Sequence, residues 1–147
     1  MKKIAAIIIL SSLPYNAFAN CAKQKEVNAL DFKAIQSSMM VAALSCDQQK
    51  QYNKFMNKYG KLLSNGSGNV RSYFKRVYGK NYESKMNSFV TGLANKATNL
   101  SMSGEPESYC NESQTAFEEL LKIKNNEISK FTERKKYSSL HGVNACS

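Results

Sequence analysis

Residues 52–63 read YNKFMNKYGKLL, and this stretch decides the fold. Its apolar side chains recur at intervals of three and four residues, and lysines lie between them, a pattern typical of a helix with one buried face. Asp47 precedes the stretch and is predicted to be the N-cap of this helix. The apolar positions are Tyr52, Phe55, Met56, Tyr59, Leu62 and Leu63.

The same period extends to both sides of this stretch. Residues 29–45 predict a first helix, whose inner face carries Phe32, Ile35 and Met39. Residues 64–68, Ser-Asn-Gly-Ser-Gly, have the composition of a turn and predict the end of the second helix. A short third helix is predicted over 69–78, with Gly79 as its C-terminal cap.

A fourth helix is predicted over 82–100, followed by a loop over 102–107 that contains Gly104 and Pro106. A long fifth helix is expected from Phe117 to about residue 136. The tail from 137 shows no period, and we expect Cys146 to hold it down. Since no segment alternates apolar and polar residues as a strand would, the sequence predicts an all-α, compact four- to five-helix bundle with two disulfides.

The first nineteen residues have the features of a cleavable export signal. Lys2 and Lys3 precede the short apolar segment 4–13, and residues 17–19, Ala-Phe-Ala, supply a small-x-small cleavage site. We therefore predict a signal peptide over 1–19, a single helical domain over 20–147, and a periplasmic or secreted location. No later segment is continuously apolar for long enough to span a bilayer, so no transmembrane segment is expected in the mature chain.

All four cysteines lie beyond the predicted signal, and an even number in an exported chain predicts disulfides. If the short third and the fourth helix form one bent pass, the chain makes four passes. Cys46 and Cys110 then lie at one end of the bundle, and Cys21 and Cys146 lie at the other. Of the three pairings that four cysteines allow, this argument selects Cys46–Cys110 and Cys21–Cys146.

Positive charge is concentrated in the middle of the chain. The formal net charge is +10, and residues 48–100 contain ten Lys or Arg against one acid, Glu83. Such a segment favours an anionic partner, although it could instead complement the acidic residues of the following segment within one fold. The residues predicted to bind this partner are Lys50, Lys54, Lys58, Lys61, Arg71, Lys75 and Arg76.

Basic and aromatic residues interleave between Arg71 and Tyr82, a composition that nucleic-acid-binding proteins use to stack bases. The rings of Tyr73, Phe74 and Tyr78 fall at core spacing, however, and we expect most of them to be buried. Nucleic acid is therefore a less favoured partner than a protein or an anionic component of the envelope.

No set of residues indicates catalysis, a metal site or a cofactor. His141 is the only histidine, and we expect it to be solvated in the tail. With all four cysteines paired, no thiolate remains to bind zinc. Glutamates occur in the adjacent pair Glu118 and Glu119 and in the pair Glu105 and Glu107, and these are predicted to be exposed charges rather than the two carboxylates of a glycosidase cleft.

Five short segments of the chain carry a resemblance. They are MVAALSC at 40–46, YNKF at 52–55, YFKRVYG at 73–79, NSFVTGLAN at 87–95 and Tyr109-Cys110. Together they resemble a family of small exported proteins from alphaproteobacteria to which no activity is assigned. The resemblance covers about residues 30–125. It implies a Gram-negative periplasmic or secreted setting and a pairing of Cys46 with Cys110, and it supplies no mechanism.

Three functions remain from the sequence. The first is a non-enzymatic helical module, periplasmic or secreted, that binds a protein or an envelope component. The second is a secreted cationic protein that binds anionic surfaces such as lipid, lipopolysaccharide or nucleic acid. The third is an enzyme acting on cell-wall glycan, which would need two carboxylates across a cleft.

Overall fold

The computed structural model describes residues 20–146 and confirms the all-α bundle. Two single-turn 3₁₀ helices, Gly79–Asn81 and Asn125–Glu127, separate some of the helices. The predicted signal peptide lies outside the described residues. The helices are α1 (Gln24–Ser45), α2 (Gln49–Tyr78), α3 (Tyr82–Met102), α4 (Pro106–Lys122), α5 (Ile128–Arg134) and α6 (Ser138–His141).

The core lies between α1, α2 and α4, with α3, α5 and α6 closing its sides. Phe32 of α1 meets Phe55 and Tyr59 of α2 edge to face, with ring centroids 6.2 and 5.6 Å apart. This geometry is the one that aromatic pairs prefer. A second, smaller cluster packs α1 against the end of α2 around Leu30, Val70 and Phe74.

Helix α2 runs unbroken through residues 64–68, so the predicted turn there is wrong. Gly66 faces α1, where a Cβ added to it would lie 3.7 Å from the Cβ of Ala29. Leu63 and Val70 on either side of the segment are buried. The weak helix propensity of the segment is overcome because packing against α1, rather than propensity, decides whether a helix forms in a folded protein.

The predicted C-terminal cap at Gly79 is confirmed. Its φ of +53° is disfavoured for residues that have a side chain, and its N–H donates to the carbonyl of Lys75. The predicted cap at Asp47 is wrong. Asp47 has a φ of +57° and lies in the turn between α1 and α2, and Gln48 is the N-cap. Aspartate tolerates this backbone conformation better than most residues, which accounts for its place in the turn.

The predicted fifth helix is in fact two helices. α4 begins at Pro106, and proline is favoured in the first turn of a helix. It ends at Lys122, because Ile123 has an extended backbone and Lys124 opens a new turn by donating its N–H to the side chain of Glu127. The first helix likewise begins at Gln24, earlier than residue 29.

Both predicted disulfides are present. Cys46 and Cys110 have Cα atoms 5.4 Å apart, and those of Cys21 and Cys146 are 4.9 Å apart. The bundle makes four long passes, but they are divided differently: the turn expected at residues 64–68 is absent, and the second pass ends at Gly79, inside the segment predicted as one bent pass. Beside the Cys21–Cys146 bond, the N–H of Ala22 donates to the carbonyl of Asn144, so the tail is fixed to the start of the domain.

The continuity of α2 predicts opposite effects for two glycine substitutions. Gly68→Ala should raise the free energy of unfolding by about 0.5 to 1 kcal/mol, because alanine favours a helix and nothing lies within 4 Å of the added Cβ. Gly79→Ala should lower it by about 1 kcal/mol, because of the positive φ. Urea unfolding measures both values. A destabilising Gly68→Ala would mean that the chain turns there.

The Cys46–Cys110 bond should contribute strongly to stability. It closes a loop with a sequence separation of 64, and restricting that loop in the unfolded chain is worth about 4 kcal/mol. The double variant Cys46→Ala with Cys110→Ala should therefore unfold at a clearly lower urea concentration. Thiol titration of the unfolded, unreduced parent protein is the control, and detection of free thiols there would contradict the pairing.

Candidate anion-binding face

One face of α2 carries all seven cations that the sequence assigned to an anionic partner. Since α2 is one helix, these residues share a register, and at about 100° per residue they fall within an arc of about 140°. The buried side chains Phe55, Tyr59 and Val70 lie on the opposite side of α2. The cations are Lys50, Lys54, Lys58, Lys61, Arg71, Lys75 and Arg76.

No acid offsets this charge within the helix itself. The 30 residues of α2 contain no Asp or Glu. At about 1.5 Å per residue the helix is about 45 Å long, so it presents an extended line of positive charge. Such a line raises the local concentration of anions along its whole length.

Five of the seven cations point outward and form what we call the basic face. All five are exposed, and they span about 38 Å along the helix axis. Lys75 lies 5.0 Å from the ring centroid of Tyr82, which fixes its side chain near the end of the face. The basic face consists of Lys50, Lys54, Lys61, Arg71 and Lys75.

Lys58 lies at the edge of the arc and serves the fold. Its ammonium group donates to the carbonyls of Leu120, Leu121 and Ile123, at 3.2, 2.7 and 2.7 Å. These are carbonyls at the C-terminal end of α4, which have no partner within the helix. The cation also suits the negative end of the helix dipole.

The neighbouring Tyr59 completes this cap from the buried side. Its hydroxyl donates to the carbonyl of Leu120 at 2.6 Å. Burial, together with the negative charge of Glu127, raises the pKa of Tyr59 to about 12. Lys58 and Tyr59 thus satisfy the carbonyls at the end of α4, where the sequence predicted that the helix would continue.

Arg76, at the same edge, also has structural partners. Its guanidinium donates to the carboxylate of Glu26 at 2.5 Å and to the carbonyl of Cys21 at 2.8 Å. Burial acts to raise the pKa of Glu26, but the hydrogen bonds from Arg76 and from the N–H of Lys23 outweigh it and hold the pKa below its usual value. Arg76 therefore ties α2 to the start of α1.

Between Arg71 and Tyr82, where basic and aromatic residues alternate along the chain, some rings lie in the core and others at the surface. Tyr73 and Phe74 are buried, as predicted, and Tyr78 is exposed. The ammonium of Lys85 lies 5.9 Å from the ring centroid of Tyr78. Most of the aromatic surface near Arg71 is thus not available for stacking on a base.

His141 is buried rather than solvated, which corrects the expectation for the tail. Its Nε2 lies 2.7 Å from Oδ1 of Asp31, and its Nδ1 accepts the N–H of Val143 at 3.0 Å. Because Nδ1 is an acceptor, Nε2 carries the proton and donates to Asp31. Both nitrogens are occupied, so the pair fastens α6 to α1 and leaves no ring nitrogen to take a proton from a substrate.

The glutamate pair of α4 lies on the outside of the bundle. Glu118 accepts from the amide of Gln114 at 2.9 Å, and Glu119 pairs with Arg134. Within residues 20–146, no group of three or more His, Cys, Asp or Glu side chains is placed to hold a metal ion.

Comparisons of the chain with protein-family models, with characterised proteins and with solved structures returned no match. Among the helices of residues 20–146, none combines the length and the apolar character that crossing a membrane requires. The site must therefore be interpreted from its own geometry.

Lys58 caps α4, whereas the residues of the basic face are exposed, and two substitutions with the same charge change test this difference in role. Lys58→Gln should lower the free energy of unfolding by about 1 kcal/mol, because the carbonyls that end α4 lose their charged donor. Lys54→Gln, which changes an exposed side chain, should alter it by less than about 0.5 kcal/mol. Urea unfolding compares the two variants, and equal effects would contradict the capping role.

Proposed function

We propose that this chain is a non-enzymatic, exported helical module that binds an anionic component of the bacterial envelope through the basic face. The observation that carries the proposal is the alignment of five outward cations on one uninterrupted helix without an acid. The two disulfides support an oxidising, extracytoplasmic setting. We propose that the protein acts in a Gram-negative periplasm or, after secretion, outside the cell.

The shape of the face favours a broad partner over a small molecule. A helix of about 45 Å presents a convex surface, which cannot enclose a small anion but can lie along a wide layer of phosphates. Lipid headgroups, including those of lipopolysaccharide, form such a layer. Each Lys or Arg close to an anionic lipid surface contributes about 1 kcal/mol, so five give about 5 kcal/mol, enough for reversible attachment.

Vesicle binding tests this proposal directly. The oxidised protein should bind vesicles that contain phosphatidylglycerol and not vesicles of phosphatidylcholine alone, and the binding should weaken steeply as salt is added. The triple variant Lys50→Gln, Lys54→Gln, Lys61→Gln should bind roughly a hundredfold more weakly, at about 1 kcal/mol for each charge. Cosedimentation with the vesicles gives the affinities.

A second triple variant provides the matched control. Lys122→Gln, Lys130→Gln and Lys135→Gln remove the same charge from exposed positions in α4, in α5 and just beyond it, and should reduce binding much less. Equal losses in the two triples, or binding that is indifferent to salt, would contradict the proposal. If the protein bound duplex DNA more tightly than the vesicles, and this binding also depended on the basic face, the partner would be nucleic acid and not an envelope component.

A further inference from the structure

A groove lies where α1, α2 and α5 meet, and the basic face does not include it. Its volume is about 290 Å³, near the lower limit for small-molecule pockets. Ala29 and Gly66, where α1 and α2 approach each other, contribute little side-chain volume and leave the space open. Residues 65–70, in the part of α2 that continues past the expected turn, form one of its walls.

The groove combines an apolar floor with a positive rim. Phe32, Leu63 and Ile128 are buried core residues that also line it. Two lysines, Lys25 and Lys33, line it from α1, and no Asp or Glu does. Several asparagine side chains also line it. This lining is complementary to a molecule with an apolar body and an anionic head.

Lys33 gives the groove its chemical preference. It is half-buried, and its ammonium donates to the side-chain oxygen of Gln36 at 2.8 Å. None of the ion pairs found within residues 20–146 includes Lys33. Burial lowers the pKa of this ammonium, which a carboxylate bound beside it would raise again. A half-buried cation with one neutral partner therefore favours an anionic ligand.

We propose that this groove binds a small amphipathic carboxylate of the medium-chain fatty acid type, with its head on Lys33 and its chain on Phe32, Leu63 and Ile128. The proposal does not depend on the proposed function. It rests on the groove and its lining, whereas attachment to the envelope rests on the outward cations of α2.

Calorimetric titration of the oxidised protein with decanoate, below the concentration at which it forms micelles, tests the proposal. Lys33→Met keeps most of the side-chain stem and removes its charge, and should weaken binding by about tenfold to a hundredfold, the usual worth of a hydrogen bond to a charged group. Lys122→Met is the matched control and should bind as the parent does. Unchanged binding by Lys33→Met would overturn the proposal.

Two other ligands define the chemistry of the head. Decanol carries the same chain without a charge and should bind much more weakly than decanoate, and equal binding would refute recognition of an anion. Decyl phosphate distinguishes a phosphate head from a carboxylate. If it binds and decanoate does not, the carboxylate assignment is wrong.

Two further measurements separate loss of the site from loss of the fold. Asn69→Phe should fill the groove and reduce decanoate binding while leaving the circular dichroism melt intact. In the parent protein, NMR signals of the Lys33 side chain should show its pKa rising when decanoate is added. Decanoate-induced shifts confined to the basic face would overturn the proposal, and the triple variant of that face should still bind decanoate.

Discussion

The packing of α2 against α1 around residues 63–70 is the contact on which the rest of the structure depends. It holds residues 64–68 in a helix against their own propensity, because the neighbouring Leu63 and Val70 are buried at the same interface. As a result one helical register extends over 30 residues. The apolar side chains before and after the segment then lie on one side, and the cations lie on the other.

Side chains of α2 also complete the helices around it. Lys58 and Tyr59 satisfy the carbonyls that end α4, and Arg76 binds Glu26 at the start of α1. Lys58 and Tyr59 thus give partners to backbone carbonyls that the helix leaves open, and Arg76 neutralises a largely buried carboxylate. The five cations of the basic face are exposed and make none of these bonds to other helices' ends, which is why we assign the binding role to them.

Much of the fold follows from local pattern, and the departures from prediction arise from long-range contacts. The apolar period of residues 52–63 and 82–100 predicts helices that exist, and counting passes predicts both disulfides. The turn expected at residues 64–68 is absent because the burial of Leu63 and Val70 against α1, which is distant in sequence, decides their conformation. The burial of His141 could not be predicted from the residues of the tail, because its partner Asp31 lies 110 residues away in sequence. The sequence shows where basic residues are concentrated, whereas their alignment on one helix and the groove are visible only once α1 packs on α2.

NMR ¹³Cα chemical shifts and amide hydrogen exchange across residues 64–68 test the central claim most directly. A continuous α2 predicts helical shifts at every one of these residues and exchange as slow as that of the flanking turns. Random-coil shifts with fast exchange, between two separately protected helices, would contradict the account, because the cations of the two halves would then no longer share a register.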